Sequence, residues 1–507
     1  MLATAVLVPA FVLVAGASGC SPTLPPTTVP DQPDATFEPF KTSLQAYVDA
    51  TQPLRKQAAI DAENVPGKDV PATGAELSVR TRQNSLADAL RLKLRANAKQ
   101  GDLFTPPMAA AFTHQIQNVF NTPKRGLLLD DLAEQNETPA GTQAPEVNAH
   151  LVAPRVPPRL MEILPPLPKQ LDYGFVGRTL FLRDVDADVV VDFLPDALPA
   201  IAPKNTETAE PTPLTGGAGA ASLLAMPSIR GATIFALMGD SGSGNQSQQA
   251  VAKAMLAYFN TAHRFGFVLM LGDNLYDDDY TNEFSRPYKA LIDLGVKFYA
   301  ALGNHDRNLE IHFKPFNMND VDRYTFDQGN ARFAALNSNH PGDPLQIKWL
   351  DTAFAGAETK WKICFFHHPL YSSGEHAAEG RDVIRPALEG ALVRNKVDVV
   401  FTGHEHLYEH IKPQQGVHYF ISGGGGKNLF NFHKSEFDVV IASEHHFMVA
   451  EIDGDRLFFE AITQRQKLLD CGIVYRTPEA AAKAPDDVAT KWLASCDEGR
   501  ARPRTTQ

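Results

Sequence analysis

Downstream of residue 229, short apolar runs closed by polar turns alternate with longer stretches whose apolar side chains recur at helical spacing. The short runs at 233–238, 267–271, 297–302, 332–336, 361–366, 398–401 and 417–422 predict buried strands. Runs at 447–452 and 456–462 predict a hairpin around Asp453-Gly454-Asp455. Helices are predicted at 247–262, 282–294, 344–354 and 383–395. Strands and helices in alternation make a layered α/β domain, in which ligands collect beyond the carboxyl ends of the strands.

The first part of the chain has a different rhythm. Thr105 and Pro106 can open a helix that places Met108, Phe112, Ile116, Val119 and Phe120 on one face. A second helix is predicted at 85–98, and 178–194 reads as two short strands around Asp184-Val185-Asp186-Ala187-Asp188. These aspartates alternate like Ca²⁺-loop ligands but lack the glycine and distal glutamate of such a loop, so a solvated turn is expected. Residues 36–195 are therefore expected to form a separate, mainly helical N-terminal region of unknown role. Residues 196–228, rich in Pro, Thr, Ala and Gly, form a linker. The α/β domain spans 229–465, and 466–507 form a C-terminal extension.

Composition narrows the partners. A chain of 507 residues, 44% of them hydrophobic, has ample material for more than one core. The net charge of −12 leaves no basic face for nucleic acid, and no nucleic-acid binding is expected. Residues 5–15 are apolar, uncharged and too short to span a bilayer as a helix. Ala17-Ser18-Gly19-Cys20 follows and resembles a bacterial lipobox, although no Lys or Arg precedes the run and Ala17 is a weak choice at its place. Residues 1–20 thus read as a leader, with a membrane anchor at a lipidated Cys20, and 21–35 as its tether. The expected location is the bacterial cell envelope or periplasm; a plain signal peptide is the alternative. Cys364, inside an apolar run, is expected to be an inert core thiol. Cys471 and Cys496 are placed for a disulfide in an exported chain.

The chemistry sits in five short motifs, each at the end of an apolar run: Gly239-Asp240-Ser241-Gly242, Gly272-Asp273-Asn274-Leu275-Tyr276, Gly303-Asn304-His305-Asp306, His367-His368-Pro369 and Gly403-His404-Glu405-His406. Any one alone is explained by a turn, a cap or a core histidine. Together they offer the carboxylate, amide and imidazole donors that hard and borderline cations accept. No phosphate-binding loop of the nucleotide-driven motors and no Gly-x-Ser-x-Gly elbow is present.

The order and spacing of these motifs resemble the calcineurin-like metallophosphoesterases, and within them the purple acid phosphatases. The resemblance covers about 229–465. It implies a four-layer αββα sandwich in which two facing sheets carry helices outside and metals at one rim. It further implies two metal ions, with Asp240, Tyr276 and His406 on the first, Asn304, His367 and His404 on the second, and Asp273 bridging. A phenolate at Tyr276 favours Fe³⁺ beside Fe²⁺, Zn²⁺ or Mn²⁺. His305 and His376 fall on the family's substrate-side histidines, Asp306 is a candidate to orient His305, and His368 is expected behind the ligands. The implied activity is hydrolysis of a small phosphate monoester by a metal-bound hydroxide. Alternatives are a phosphodiesterase on the same scaffold, acting on cyclic nucleotides or lipid head groups, and a non-enzymatic envelope binding protein working through its N-terminal region. Ser422-Gly423-Gly424-Gly425-Gly426-Lys427 resembles a late glycine-rich loop of the family.

Overall fold

Strand β4 (Thr233–Met238) begins the α/β part, and the four residues Phe235, Ala236, Leu237 and Met238 are fully buried. The computed structural model that contains it describes residues 36–64, 73–120, 144–151, 160, 163–199, 226–227, 229–261, 264–483 and 485–501. The leader, Cys20, the tether and most of the linker lie outside the described residues. Among the described residues no helix is long and apolar enough to cross a membrane.

Two mixed sheets form the α/β part. The six-stranded sheet has β4, β5 (Phe267–Met270) and β6 (Lys297–Ala300) parallel, continued on the other side by β14 (His446–Asp453), β15 (Arg456–Thr463) and β16 (Leu468–Tyr475), all antiparallel. The seven-stranded sheet has β8 (Ala331–Ala335), β9 (Trp361–Phe365), β10 (Val399–Thr402) and β12 (Val417–Ser422) parallel. Antiparallel strands β7 (Tyr324–Gln328) at one edge, and β11 (Tyr408–Gln414) and then β13 (Asp438–Ala442) at the other, complete it.

Side chains alternate along each strand, which decides the layers. Ile363, Phe365, Val399 and Phe401 face the core shared with Phe235 and Phe267, while Cys364, Phe366 and Val400 face Leu350, Leu388 and Leu392. Phe235 meets Phe333 edge-on at 5.2 Å, so aromatic rings of the two sheets interlock. Helices α6 (Pro344–Ala353) and α7 (Arg385–Arg394) cover the outside of the seven-stranded sheet, and Tyr258 of α4 (Gln246–Phe259) meets Phe447 on the other. The predicted helix at 282–294 is a π-turn, Tyr280–Ser285, followed by the short α5 (Lys289–Asp293).

The N-terminal region contains α1 (Glu38–Glu63), α2 (Thr73–Ala89), α3 (Pro106–Phe120) and a three-stranded antiparallel sheet of β1 (Leu171–Val176), β2 (Thr179–Asp184) and β3 (Val189–Leu194). Met108, Phe112, Ile116 and Phe120 are buried on one face of α3, as their spacing predicts. The region does not stand apart, because Ala75 and Val79 of α2 join the main core. The Asp184–Asp188 turn is not solvated: Asp184 and Asp188 are buried, since Arg55, Arg183 and Arg307 arrive to neutralise them. At the other end α8 (Asp487–Ala501) packs on β16 and is joined to it by a Cys471–Cys496 disulfide.

Candidate metal centre

Every candidate ligand lies just beyond the carboxyl end of a parallel strand. Asp240 follows β4, Asp273 and Tyr276 follow β5, and Asn304 follows β6; His367 follows β9, and His404 and His406 follow β10. The sheets are sewn together at this rim. The Gly239 N–H donates to the Ser422 carbonyl (2.7 Å), and the Gly425 N–H returns a bond to the Gly239 carbonyl (3.0 Å). The glycine-rich loop is thereby a clasp between the sheets.

The backbone is bent where the donors leave it. Asp240 (φ 58°), Asp273 (φ 50°) and His404 (φ 69°) all lie in the left-handed region, which non-glycine residues rarely adopt. Two glycines make the room. A Cβ on Gly303 would stand 2.1 Å from Asp273 Oδ1, and one on Gly272 (φ 91°) would stand 2.5 Å from His367 Nδ1.

Three imidazoles define the centre. His367 Nδ1 donates to the Leu271 carbonyl at 3.0 Å, His404 Nε2 to Glu379 Oε2 at 3.0 Å, and His406 Nδ1 to the Asn428 carbonyl at 2.6 Å. With the outer nitrogen of each ring donating, the inner nitrogen presents a lone pair. These inner nitrogens converge. His367 Nε2 is 3.2 Å from His404 Nδ1, 2.8 Å from Asn304 Oδ1 and 3.4 Å from Asp273 Oδ1. His406 Nε2 is 3.3 Å from Asp240 Oδ1 and 3.4 Å from the Tyr276 hydroxyl. All seven predicted ligands thus meet around one focus, and two groups within it, His367–His368–His404 and Asp240–Asp273–His406, have cation-binding spacing.

Acceptor facing acceptor at such distances is relieved by a cation between them, and the donor set and spacing of the residues present fit a pair of metal ions. The protonation pattern agrees. With no metal bound, a proton takes the cation's place: burial opposes charge on His367, yet the Asp273 and Asp240 carboxylates push it up to about 10. Burial would raise Asp273, but the His367 and His305 rings outweigh it and hold that carboxyl well below the usual range. His404 stays neutral, depressed by burial and by the neighbouring rings of His368, His376 and His367.

His368 is in the first group by distance, but its hydrogen bonds argue against ligation. Ser338 Oγ accepts from the His367 and His368 backbone N–H groups, so its proton goes to His368 Nδ1 (2.9 Å). His368 Nε2 then carries the ring hydrogen and cannot offer a lone pair.

The remaining predicted residues line the same rim. His305 is half-buried, its ring 4.6 Å from that of Tyr276, and its backbone N–H donates to Asp273 Oδ1 at 2.9 Å. His376 is buried between the His404 and Phe430 rings. Asp306 acts as a staple: Oδ1 accepts from the Asn274 and Leu275 N–H groups, and Oδ2 from Asn274 Nδ2 and the Gly303 N–H. It ties the Asp273 loop to the Asn304 loop. Burial, then the charge of Asp273, push it up to about 7.

Two buried carboxylates went unassigned in the sequence. Glu379 holds His404. Glu405 accepts from Ser372 Oγ and the His376 N–H, both at 2.8 Å, with Oε2 3.5 Å from His376 Nδ1. Glu405 carried a signal, since it stands between two ligand histidines; Glu379 carried none. Arg307 is buried against Asp188 and Asp278.

Comparison with known proteins follows the same residues. Residues 234–408 match the family model of the calcineurin-like phosphoesterases, a span that contains all the ligands from Asp240 to His406. Purple acid phosphatase 3 of Arabidopsis thaliana is 28% identical over 254 residues, which is 40% of this chain and 66% of that protein. The Fe(3+)-Zn(2+) purple acid phosphatase 12 of the same plant is 28% identical over 219 residues, 38% of this chain and 46% of that protein. A solved purple acid phosphatase from yellow lupin (Lupinus luteus) seeds aligns at 17% identity with a TM-score of 0.43, over 50% of this chain and 55% of that one. The chain spans between about half and two thirds of the length of these two curated relatives. It carries a calcineurin-like metallophosphoesterase region with distant similarity to purple acid phosphatases.

Proposed function

We propose that the chain is a dinuclear phosphate-ester hydrolase that prefers small monoesters. The observation that supports this is the convergence of three inner imidazole nitrogens, two aspartates, an amide oxygen and a phenol on one buried focus. The monoester preference leans on the acid-phosphatase names of the similar proteins. Asp240, Tyr276 and His406 would hold one ion, Asn304, His367 and His404 the other, and Asp273 both. Bound there, the ions supply Lewis acidity toward the phosphoryl oxygens and a lowered pKa for water. Asp273 keeps its negative charge for this task, while Asp240 sits higher through burial. Half-exposed at the rim, His305 meets the leaving oxygen, and His376 stands at the same rim with Nδ1 3.5 Å from Glu405 Oε2. Iron at the Tyr276 site belongs to the same reading, as do the four-layer αββα architecture, the division at 196–228 and a lipid anchor at Cys20.

The test uses purified, metal-loaded full-length chain. It should hydrolyse p-nitrophenyl phosphate on the order of tenfold faster than bis-p-nitrophenyl phosphate in kcat/KM. Dialysis against chelator should abolish both. Preference for the diester overturns the monoester reading, and less than two equivalents of metal by elemental analysis overturns the dinuclear one. Tyr276→Phe should remove any visible absorption band; a band that persists overturns ligation of iron by Tyr276.

A further inference from the structure

Outside the ligand cluster, the densest knot of buried charge lies where the N-terminal region meets the ligand-bearing loops. Its centre is Arg307, whose side chain is 10% exposed. One guanidinium nitrogen contacts Asp188 Oδ2 and another contacts Asp278 Oδ2. The three residues come from three places. Arg307 directly follows Asn304-His305-Asp306, and Asp278 stands two residues beyond Tyr276. Asp188 belongs to the β2–β3 turn of the N-terminal region.

Asp188 is itself held from all sides. Arg183 approaches it at 3.4 Å, Gln83 Nε2 donates at 3.0 Å and His150 Nδ1 lies at 2.5 Å. Arg183 is in turn 3.2 Å from Asp172. Asp188 (φ 50°) and Asp278 (φ 56°) both take the left-handed backbone, so each carboxylate is presented at a local bend. A second contact runs parallel to the first: Thr281 Oγ1 donates to Glu76 Oε2 of α2 at 2.7 Å. The arginines hold the Asp188 carboxyl ionised, far below its ordinary range, despite burial.

A guanidinium is a rigid fork, and one that grips two carboxylates fixes the distance between their chains. We propose that Asp188 is a positioning residue of the metal centre: it fixes Arg307, whose other nitrogen grips Asp278, and so holds in place the paired loops that deliver Asp273, Tyr276 and Asn304. The N-terminal region then completes the hydrolase site. The proposal rests on the metal-binding reading of these loops. Without Asp188, Arg307 keeps Asp278 alone, and the pair of loops loses its anchor on the N-terminal region.

The experiment compares wild-type chain with Asp188→Asn, Arg307→Lys and Phe112→Leu, the last altering the N-terminal core away from the knot. Metal-free proteins are titrated with Zn²⁺, and amide hydrogen exchange is followed in segments 272–279 and 303–310. Asp188→Asn and Arg307→Lys should each weaken Zn²⁺ binding by about tenfold or more. Both should speed exchange in both segments, and in turnover they should lower kcat more than they raise KM. Phe112→Leu should lower the melting temperature and leave Zn²⁺ binding and loop exchange as in wild type. Unchanged Zn²⁺ affinity and exchange in the two knot variants overturns the proposal; so does an equal loss in Phe112→Leu, which would mark general destabilisation. Should Asp188→Asn fail to fold, Arg307→Lys decides by the same two readouts. A wild-type chain that binds two Zn²⁺ but cleaves no phosphate ester defeats the proposed function alone, because neither readout uses turnover.

Discussion

At the scale of single residues the centre is a matter of which nitrogen faces where. Leu271, Glu379 and Asn428 each take one imidazole hydrogen, and that leaves three lone pairs turned to a common point. Two of these partners are backbone carbonyls that no side-chain change removes. Glu379 is the exception, and its carboxylate also makes His404 a better donor. Replacing Glu379 by Gln keeps an acceptor but removes the charge. Metal affinity, measured by titration of the metal-free protein, should fall about tenfold, the usual consequence of losing such a partner. The candidate donors were legible in the sequence because their residue types and glycine neighbours are particular. Glu379 was not, because a glutamate three residues past His376 looks like any helix-start residue until the chain folds back to His404.

At the scale of elements, agreement between sequence and structure follows burial. β4 and β12 run over the spans that the apolar pattern predicts, and the β14–β15 hairpin differs only at its ends. These strands are inside, so their sequences are continuous hydrophobic runs. β7 and β13 escaped because edge positions tolerate polar residues, and β11, the strand inside β13, escaped because Tyr-Glu-His-Ile-Lys-Pro-Gln is polar and interrupted by proline. α1 was hidden by Pro53 in its interior. β16, whose half-buried residues mask its alternation, closes the six-stranded sheet and receives α8 through the Cys471–Cys496 disulfide. The bridge closes a loop of sequence separation 25, worth about 3 kcal/mol in loop-closure entropy. The paired change Cys471→Ala with Cys496→Ala should lower the urea midpoint, with metal content unchanged.

At the scale of the whole molecule, buried acids outside the centre tie stability to pH. Glu460 of β15 accepts from the Tyr258 hydroxyl at 2.6 Å, and burial lifts it from 4.5 to about 8. The native state therefore binds this proton more tightly than the unfolded chain does. Its contribution is complete below about 4.5 and is lost as pH rises through about 8. Glu460→Gln is neutral at every pH. Its melting temperature relative to wild type should climb between those two values and then level off; a constant difference would count against the assignment. The same scale decides the fate of the acidic turn at 184–188. Its sequence reads as solvated, yet it is buried because arginines as distant as Arg55 and Arg307 converge on it. By itself the sequence determined the buried strands, the α/β class and the identity of the donors, since periodicity and residue chemistry are local properties of the chain. Only the tertiary structure decided how those donors are oriented, which carboxylates stand behind them and that the N-terminal region touches the loops that carry them. Those depend on charges and hydrogen bonds between segments from about twenty to about two hundred residues apart, whose pairing exists only once the chain has folded.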